Sequence, residues 1–303
     1  MFKSTSERVN SEMFNTIKFL NLKNIRIVYW SAFKIMRIFQ YMSFINNLKL
    51  RISNIKFTFV ISDFKYFFYH LLRINFKSSD FILIDEGTGT LIAYKKYISR
   101  GIFFPIKQYD NQLFSLYKII FVNNFRILLY SRFKIYSIFS KYINDKNIIV
   151  NNFEYVKKKV SRDFNKDNSI VMFIGTKLSE RGFITLSEEL KILEKINLYW
   201  NNRGKKLIYI AKRTSSEKKL TLIKQKLSID YIKFNLPLEL AIGYEYKKLP
   251  YAICSHGSTL DITLKMIYKI KSFLFFPKGY EKMIHLDHSN NHIIVSKSEI
   301  INI

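Results

Sequence analysis

The second half of the chain alternates short, continuous apolar runs with amphipathic segments, and this alternation constrains the fold more than any other feature. The run Ile170–Ile174, which Gly175 ends, is typical of a strand buried on both faces, and Leu186–Trp200 repeats apolar residues at helical spacing. The same order recurs along the chain, with strands predicted at 206–211, 229–232, 251–254 and 272–276 and helices at 216–227, 238–246 and 258–268. Alternation at this spacing predicts a parallel, doubly wound α/β sheet.

The first half of the chain shows the same alternation of strands and helices less clearly. It has strands predicted at 25–30, 57–61 and 80–84 and helices predicted at 32–47 and 63–73. Residues 112–142 are so uniformly aromatic and basic that periodicity does not separate helix from strand. The most polar stretch, at 157–168, marks a predicted border between an N-terminal domain of residues 1–165 and a C-terminal domain of residues 166–303. We therefore predict two Rossmann-like domains that face a cleft.

Length and composition exclude several classes of protein. A chain of 303 residues is long enough for about two domains, and 48% hydrophobic residues exclude a disordered chain. The single cysteine, Cys254, excludes an intramolecular disulfide and a cysteine-rich zinc site. The beginning of the chain does not resemble a signal peptide, so we expect a cytoplasmic protein.

The charge is strongly basic. Fifty Lys and Arg residues against 23 Asp and Glu residues give a net charge of +27, which suits a partner rich in phosphates or an anionic membrane surface. The excess is spread rather than clustered, and part of it matches the amino-acid bias of an AT-rich coding sequence. Because a Lys or Arg interrupts every apolar stretch before about 18 residues, we predict no membrane span. The basic surface instead predicts a protein peripheral to the inner face of the membrane.

Ligands of doubly wound sheets bind at the carboxyl ends of the strands, so the turns after the predicted strands are candidate sites. The first such turn holds two adjacent carboxylates, Asp85 and Glu86, before a glycine-containing segment. Repulsion between adjacent acids raises one pKa, which suits a general base. The alternative is a structural turn in which Asp85 accepts backbone hydrogen bonds.

Three further turns follow strands of the second half. Gly175 and Thr176 form one that lets a ligand approach the backbone closely, although it is neither a Walker box nor a dinucleotide fingerprint. Residues 212–216 place Lys212, Arg213 and hydroxyls at the beginning of a helix, where an anion is favoured; a solvated charged loop is the alternative. Residues 255–259 place hydroxyls and a histidine where another predicted strand leads into a helix. The alternative is that Ser258 only caps this helix.

Three of these turns, together with the segment Pro237–Glu239, resemble motifs of bacterial sialyltransferases of the lipooligosaccharide and polysialic acid type. The likeness runs from about Val60 to Tyr268, and its motifs are Phe81–Thr90 with Asp85 and Glu86, Phe173–Thr176 with Glu180, Pro237–Glu239, and Ser255–Leu260. The resemblance implies a GT-B type glycosyltransferase that has an N-terminal acceptor-side domain and a C-terminal donor domain. It also implies a CMP-activated sialic acid as donor, inversion by direct displacement, and no metal or other cofactor.

The resemblance also assigns roles. Asp85 would be the base that deprotonates the acceptor hydroxyl, with Glu86 supporting it. Glu239 would bind the cytidine nucleotide, and Ser258 and Thr259 would lie near the donor phosphate. The remaining predicted donor-binding residues are Gly175, Thr176, Arg213 and Ser255.

One residue departs from the family pattern. Lys212 stands where the family has a histidine that donates a proton to the leaving phosphate. A lysine, with its ordinary pKa of about 10.4, is a poor acid but a good fixed cation. We therefore add His256 to Asp85, Glu86 and Lys212 as a fourth candidate catalytic residue, because it lies two positions before Ser258; its alternative is a histidine packed in a turn.

The sequence thus predicts an enzyme that moves sialic acid or a similar acidic sugar onto a lipooligosaccharide or capsule precursor. Its partners would be the nucleotide-sugar donor, the glycan acceptor and an anionic membrane surface, with no nucleic acid expected. Two alternatives remain. The missing family histidine suits a catalytically impaired relative that keeps donor binding or acts as a scaffold, and the charge with abundant Tyr and Phe suits a nucleic-acid-binding protein.

Overall fold

The chain folds into two compact units. The computed structural model describes residues 7–23, 34–52, 58–62, 64, 66–76, 79–85, 87, 89–101, 133–160, 164–212, 215–276 and 299–302. The N-terminal unit comprises Tyr29–Asn152, and the C-terminal unit combines Met1–Val28 with Phe153–Ile303. The border between an acceptor-side domain that ends at residue 165 and a donor domain that begins at residue 166 stays a prediction.

The described part of the N-terminal unit contains a four-stranded parallel sheet in the order β1-β2-β3-β4. Its described strands are β1 (Thr58–Ile61), β2 (Asp80–Ile84), β3 (Phe133–Ser137) and β4 (Ile148–Val150). Its described helices are α2 (Lys34–Ile52), α3 (Phe67–Asn75) and α4 (Gly89–Lys96), with short 3₁₀ turns at Ile98–Arg100 and Ser140–Tyr142. Phe81 and Leu83 alternate with less buried residues along β2, so one face of the sheet carries the deepest packing.

Among its described residues, the C-terminal unit contains a six-stranded parallel sheet in the order β10-β9-β8-β5-β6-β7. Its strands are β5 (Lys166–Ile174), β6 (Lys206–Ile210), β7 (Asp230–Ile232), β8 (Leu249–Ser255), β9 (Lys271–Phe276) and β10 (Glu299–Asn302). Its helices are α1 (Glu7–Phe19), α5 (Glu154–Val160), α6 (Leu186–Asn201), α7 (Glu217–Leu227), α8 (Leu238–Ala241) with a π turn at Ile242–Tyr246, and α9 (Thr259–Tyr268). This is the doubly wound arrangement that the alternation of the sequence predicts.

The six-stranded sheet has a hydrophobic core on each face because its central strands are buried on both sides. Successive residues of β5 point to opposite faces, with Val171 and Phe173 in one core and Met172 and Ile174 in the other. Trp200 packs edge-on against Phe273, with ring centroids 5.0 Å apart. The uninterrupted apolar run of β5 is therefore the signature of a strand covered by helices on both faces.

Several predicted elements end at different residues in the structure. The helix predicted at 238–246 is present, but its hydrogen bonding changes from α to π geometry at Ile242. The helix Glu7–Phe19 was not predicted, and it packs on the C-terminal unit through Phe19, whose ring lies 4.0 Å from that of Tyr244. The strand predicted at 25–30 lies outside the described residues. In the described part of the chain no helix is both long and apolar enough to cross a membrane.

Candidate functional site

The switch point of the six-stranded sheet lies between β5 and β8. From β5 the chain winds through β6 to β7 on one side, and then crosses to β8, β9 and β10 on the other. Because the strands are parallel, the turns after β5, β6 and β8 all leave the same edge of the sheet, where doubly wound proteins bind their ligands. We call this group the switch edge; it comprises Gly175, Thr176, Lys212, Ser255, His256, Ser258 and Thr259. The predicted donor-side turns are therefore brought together.

Gly175 is required where β5 meets β6. Its N–H donates a hydrogen bond of 2.9 Å to the carbonyl oxygen of Ile210, so the two strands stay close beyond their last paired residues. A Cβ atom at this position would lie 2.7 Å from that carbonyl oxygen and 2.5 Å from the hydroxyl oxygen of Tyr209. Both contacts are too short for any side chain, so the backbone approach fixes glycine at this point of the turn.

A cluster of buried charged residues contacts the turn after β5 and fixes its position. Lys219, fully buried on α7, donates to the carbonyl oxygen of Thr176 at 2.9 Å and forms ion pairs with Glu180, at 3.2 Å, and with the buried Glu189. Glu189 in turn accepts hydrogen bonds from the Thr176 hydroxyl and from the backbone and side chain of Ser179. Residues from two later helices, Glu189 on α6 and Lys219 on α7, thus fix the shape of this turn.

Tyr209 lies under the same turn, on β6. Burial raises the pKa of its hydroxyl far above the ordinary value, and the charges of Glu189 and Glu180 act in the same direction. Its ring stacks on that of Phe173, with centroids 5.9 Å apart. The phenol is therefore a neutral part of the support beneath Gly175 and has no acid–base role near neutral pH.

The turn after β8 is built around a second buried carboxylate, Asp261 on α9. It accepts hydrogen bonds from the Ser255 hydroxyl, from the Ser258 N–H at 2.8 Å and from the Ser272 hydroxyl at 3.0 Å. Burial raises the pKa of Asp261 to about 6, against the lowering effect of these bonds. Ser258 and Asp261 also form the capping box of α9, which fixes where the helix begins.

The serines of this turn have different hydrogen-bonding roles. The Ser255 hydroxyl gives its one hydrogen to Asp261 and accepts from the N–H groups of Gly257, at 2.8 Å, and Ser258, at 3.0 Å. Ser255 is therefore occupied as a positioning residue in this geometry. Ser258 is only half-buried, and its hydroxyl oxygen accepts from the Leu260 N–H at 3.3 Å, so its hydroxyl hydrogen is left to donate.

His256 is buried in the same turn. Its Nδ1 lies 2.7 Å from the carbonyl oxygen of Phe275, so Nδ1 carries the hydrogen and donates it, and the ring stands edge-on to that of Phe173 at 5.1 Å. Burial lowers the pKa of His256, and the Phe275 hydrogen bond opposes that change. The imidazole is therefore neutral at neutral pH. The packing agrees with the structural alternative, and a catalytic role would have to use Nε2.

Lys212 and Glu239 complete the predicted donor side. Lys212 is half-buried directly after β6, and its carbonyl accepts from the Ser215 N–H at 3.0 Å as the chain turns into α7. The Glu239 carboxylate accepts from the Thr263 hydroxyl of α9 at 3.2 Å. Glu239 therefore lies beside the helix that Ser258 caps. Arg213 lies outside the described residues.

Asp85 directly follows β2 in the N-terminal unit. Its Oδ2 accepts the N–H of Ile138 at 2.6 Å, and its Oδ1 is buried without a hydrogen-bond partner. Burial raises the pKa of Asp85, against the lowering effect of hydrogen bonds from Ser137, Ile138 and Thr90. A carboxylate held at one oxygen, with its pKa raised, suits a general base. Glu86 lies outside the described residues.

Sequence reasoning missed Lys219, Glu189 and Asp261. The capping box from Ser258 to Asp261 was a readable signal, because a hydroxyl residue followed three positions later by an acid marks a helix beginning. Lys219 and Glu189 carried no such signal, since charged residues on amphipathic helices are usually solvated. Among the described residues no group of three or more His, Cys, Asp or Glu is placed to hold a metal ion. The expectation of metal-independent chemistry stays a prediction.

No protein-family model matches the chain, and a comparison with curated proteins finds no match either. Among solved structures, a protein assigned as a UDP-N-acetylglucosamine 2-epimerase from Listeria monocytogenes superposes with a TM-score of 0.52 at 10% identity, covering 88% of this chain and 68% of that one. A second structure, the glycotransferase of kitacinnamycin, gives a TM-score of 0.46 at 10% identity, covering 95% of this chain and 76% of that one. The first likeness shows the fold. The chain has a GT-B type fold made of Rossmann-like α/β units, as the sequence predicted.

Proposed function

We propose that this chain is a metal-independent glycosyltransferase that binds a nucleotide-sugar donor at the switch edge. The observation that carries the proposal is the convergence of the Gly175 turn, Lys212 and the Ser258-capped beginning of α9 at one end of the six-stranded sheet. A glycine turn that admits a ligand to the backbone, a cation and a helix N-terminus together form a receptor for phosphate. The GT-B type fold supports this reading.

Each residue then has a defined task. Lys212, with Arg213, provides fixed positive charge to the donor phosphate, and Ser258 donates its hydroxyl hydrogen to a phosphate oxygen, with Thr259 beside it. Gly175 and Thr176 line the approach to the backbone, and Ser255 positions the turn. Glu239 accepts hydrogen bonds from the nucleotide. Asp85, supported by Glu86, removes the proton from the acceptor hydroxyl as that oxygen attacks the sugar and the phosphate leaves.

Within this class we propose a sialyltransferase that uses a CMP-activated acidic sugar and a lipooligosaccharide or capsule precursor as acceptor. The resemblance of Phe81–Thr90, Pro237–Glu239 and Ser255–Leu260 to that family supports the finer assignment. The association with an anionic membrane surface, where such acceptors are found, belongs to the same proposal.

The test is release of CMP from CMP-sialic acid by the purified protein, with CDP-sugars and UDP-sugars as controls. Release of CMP that depends on an added oligosaccharide acceptor supports the proposal. Release of UDP or CDP instead would keep the transferase and refute the CMP donor. Binding of CMP with no turnover of any donor would refute the enzyme.

A second candidate is a catalytically impaired relative that keeps donor binding. It is favoured by the two residues that would have to replace the proton donor of the family. Lys212 is a cation of high ordinary pKa, and His256 is buried with Nδ1 bonded to Phe275. The same CMP-release experiment separates it from the active enzyme, because this candidate binds CMP and releases none from the donor.

A further inference from the structure

Helix α2 of the N-terminal unit displays an apolar row on its solvent side. Met36, Phe39 and Leu50 expose 55%, 66% and 82% of their surface, and their spacing of three and eleven residues places them along one face of the helix. Ser43 and Asn46 occupy the positions between them. Large apolar side chains that share one exposed helix face, even with polar residues between them, indicate a surface that meets an apolar partner.

The opposite face of α2 is fixed to the rest of the unit, so the apolar row is held outward. Tyr41 and Ile45 are buried, and the Tyr41 ring lies 4.7 Å from that of Phe68 on α3. The Tyr41 hydroxyl also shares a hydrogen bond of 2.7 Å with the hydroxyl of Tyr66. The core-facing stripe therefore sets the rotation of the helix, and the row cannot turn inward without breaking these contacts.

Basic residues flank the row. Lys49 and Arg51 are exposed in the last turn, one on each side of Leu50, and the whole helix contains no Asp or Glu. An apolar row bordered by long cationic side chains is the pattern of a helix that lies in the plane of a membrane interface, with the side-chain charges extending to lipid phosphates. The net charge of +27 adds attraction to anionic lipid.

We propose that α2 docks the protein on an anionic lipid bilayer, with Met36, Phe39 and Leu50 inserted at the level of the headgroups. The inference extends the membrane partner of the proposed function by naming its surface. A second copy of the chain fits less well, because two such helices would bring Lys49 and Arg51 against their equivalents. The polar Ser43 and Asn46 within the row favour shallow contact with lipid over a tightly packed protein groove.

Co-sedimentation with vesicles tests the surface without any transferase activity. The probes are phosphatidylcholine vesicles with and without about 30% phosphatidylglycerol. We expect Phe39→Ser/Leu50→Ser to lower partition into the anionic vesicles at least about tenfold, and Lys49→Gln/Arg51→Gln to lower it and to weaken its salt dependence. The matched control is Leu198→Ser, since Leu198 is 55% exposed on helix α6, and it should partition like the wild type.

Fluorescence gives a second readout that does not depend on a loss of binding. A polarity-sensitive dye on Phe39→Cys should shift to the blue when anionic vesicles are added, and the same dye on Leu198→Cys should not; the native Cys254 is buried. Equal partition of the Phe39→Ser/Leu50→Ser variant and the wild type would overturn the proposal. So would a dimer that this variant converts to a monomer with vesicle binding unchanged. Neither result bears on CMP release, so the two proposals fail separately.

Discussion

The ammonium group of Lys219, fully buried on α7, donates a 2.9 Å hydrogen bond to the carbonyl oxygen of Thr176 in the turn after β5. Its charge is balanced by Glu189 and Glu180. A buried lysine is tolerated only when such partners replace water, so this contact ties the shape of the turn to two helices that lie later in the chain.

Lys219→Met removes the ammonium and leaves Glu189 buried without its partner. We expect the free energy of unfolding to fall by about 3–5 kcal/mol, the scale for breaking one side of a buried ion pair. Urea denaturation measures this, and faster hydrogen exchange of the Ser179 amide, which donates to Glu189, would report the loosened turn. The control is Lys218→Met on the exposed side of the same helix, with an expected change within about 0.5 kcal/mol. Equal losses in the two variants would contradict the role of the cluster.

Gly175→Ala tests the close approach of β5 to β6. The added methyl group meets the Ile210 carbonyl and the Tyr209 hydroxyl, so we expect a loss of about 1–3 kcal/mol in unfolding free energy, together with weaker CMP binding. Gly204→Ala is the control, because a Cβ there meets no atom within 4 Å although its φ is +65°. It should lose about 1 kcal/mol and leave CMP binding, measured by calorimetry, unchanged. Undiminished CMP binding by Gly175→Ala would place the donor elsewhere.

The raised pKa of Asp261 gives the stability a pH dependence of known sign. Because its pKa is about 6 when folded and near 3.8 when unfolded, folding favours the protonated acid. Its contribution is complete below about pH 4 and is lost as the pH rises through about 6. Between about pH 4 and pH 7 the wild type should therefore lose about 2 kcal/mol of unfolding free energy relative to Asp261→Asn.

Chemical denaturation of both proteins at the two pH values measures this difference. Asp230→Asn is the control of opposite sign, since the exposed Asp230 has its pKa lowered by a hydrogen bond and ion pair with Lys206. Its stabilising contribution is lost as the pH falls, and it should be small because water screens the pair. A wild type and Asp261→Asn variant with parallel pH curves would show that Asp261 ionises without cost in the folded state.

His256 can be tested by two amides that mimic different ring nitrogens. In His256→Asn the amide nitrogen takes the place of Nδ1 and keeps the bond to the Phe275 carbonyl, whereas His256→Gln reaches toward the position of Nε2. If the histidine is structural, Asn should be tolerated better than Gln, and neither should alter the pH profile of turnover. If Nε2 donates the proton, both variants should lose an ionisation from that profile and about a hundredfold in rate.

Stability adds a third check on His256. Its pKa is lowered by burial, so its neutral form favours folding, and this contribution is lost as the pH falls below the unfolded value of about 6.5. The wild type should therefore lose stability between about pH 7 and pH 5 relative to His256→Asn. A constant difference over this range, measured by denaturation, would show that the ring is accessible to protons in the folded state.

The sequence predicted those strands and helix beginnings whose residue pattern lies within one short segment. The apolar runs of β5, β6, β8 and β9 and the serines that cap α7 and α9 are local, so their positions were predicted to within a few residues. The helix Glu7–Phe19 joins the C-terminal unit through contacts with residues more than 200 positions away, such as the Asn15 side chain with the carbonyl of Asn235. No local pattern carries that information.

The candidate site divides in the same way. Parallel strands force the turns after β5, β6 and β8 to one edge, so Gly175, Lys212 and Ser258 could be grouped from sequence alone. Whether a given side chain faces that edge or the interior depends on packing. His256 illustrates this, because its hydrogen bond to Phe275 joins the turn after β8 to strand β9 and cannot be read from residues 255–259.

Asp85→Asn tests the proposed base and also separates it from a structural acid. If Asp85 removes the acceptor proton, turnover should fall at least about a hundredfold while CMP binding stays intact, because the carboxylate acts on the acceptor and not on the donor. Wild-type turnover should fall as the pH drops through the raised pKa of Asp85, at a higher pH than an ordinary aspartate would give. The Asn variant should lack that limb of the profile.

The same substitution should lower turnover without lowering the free energy of unfolding at neutral pH. Because the pKa of Asp85 is raised in the folded protein, its contribution to stability is present at low pH and is lost as the pH rises through that pKa. At neutral pH Asp85→Asn should therefore be at least as stable as the wild type, although it is less active. Asp80→Asn, at the other end of β2, is the matched control for turnover and should keep it. An Asp85→Asn protein that is destabilised and turns over normally would show that the carboxylate holds the turn through the Ile138 amide and takes no part in the reaction.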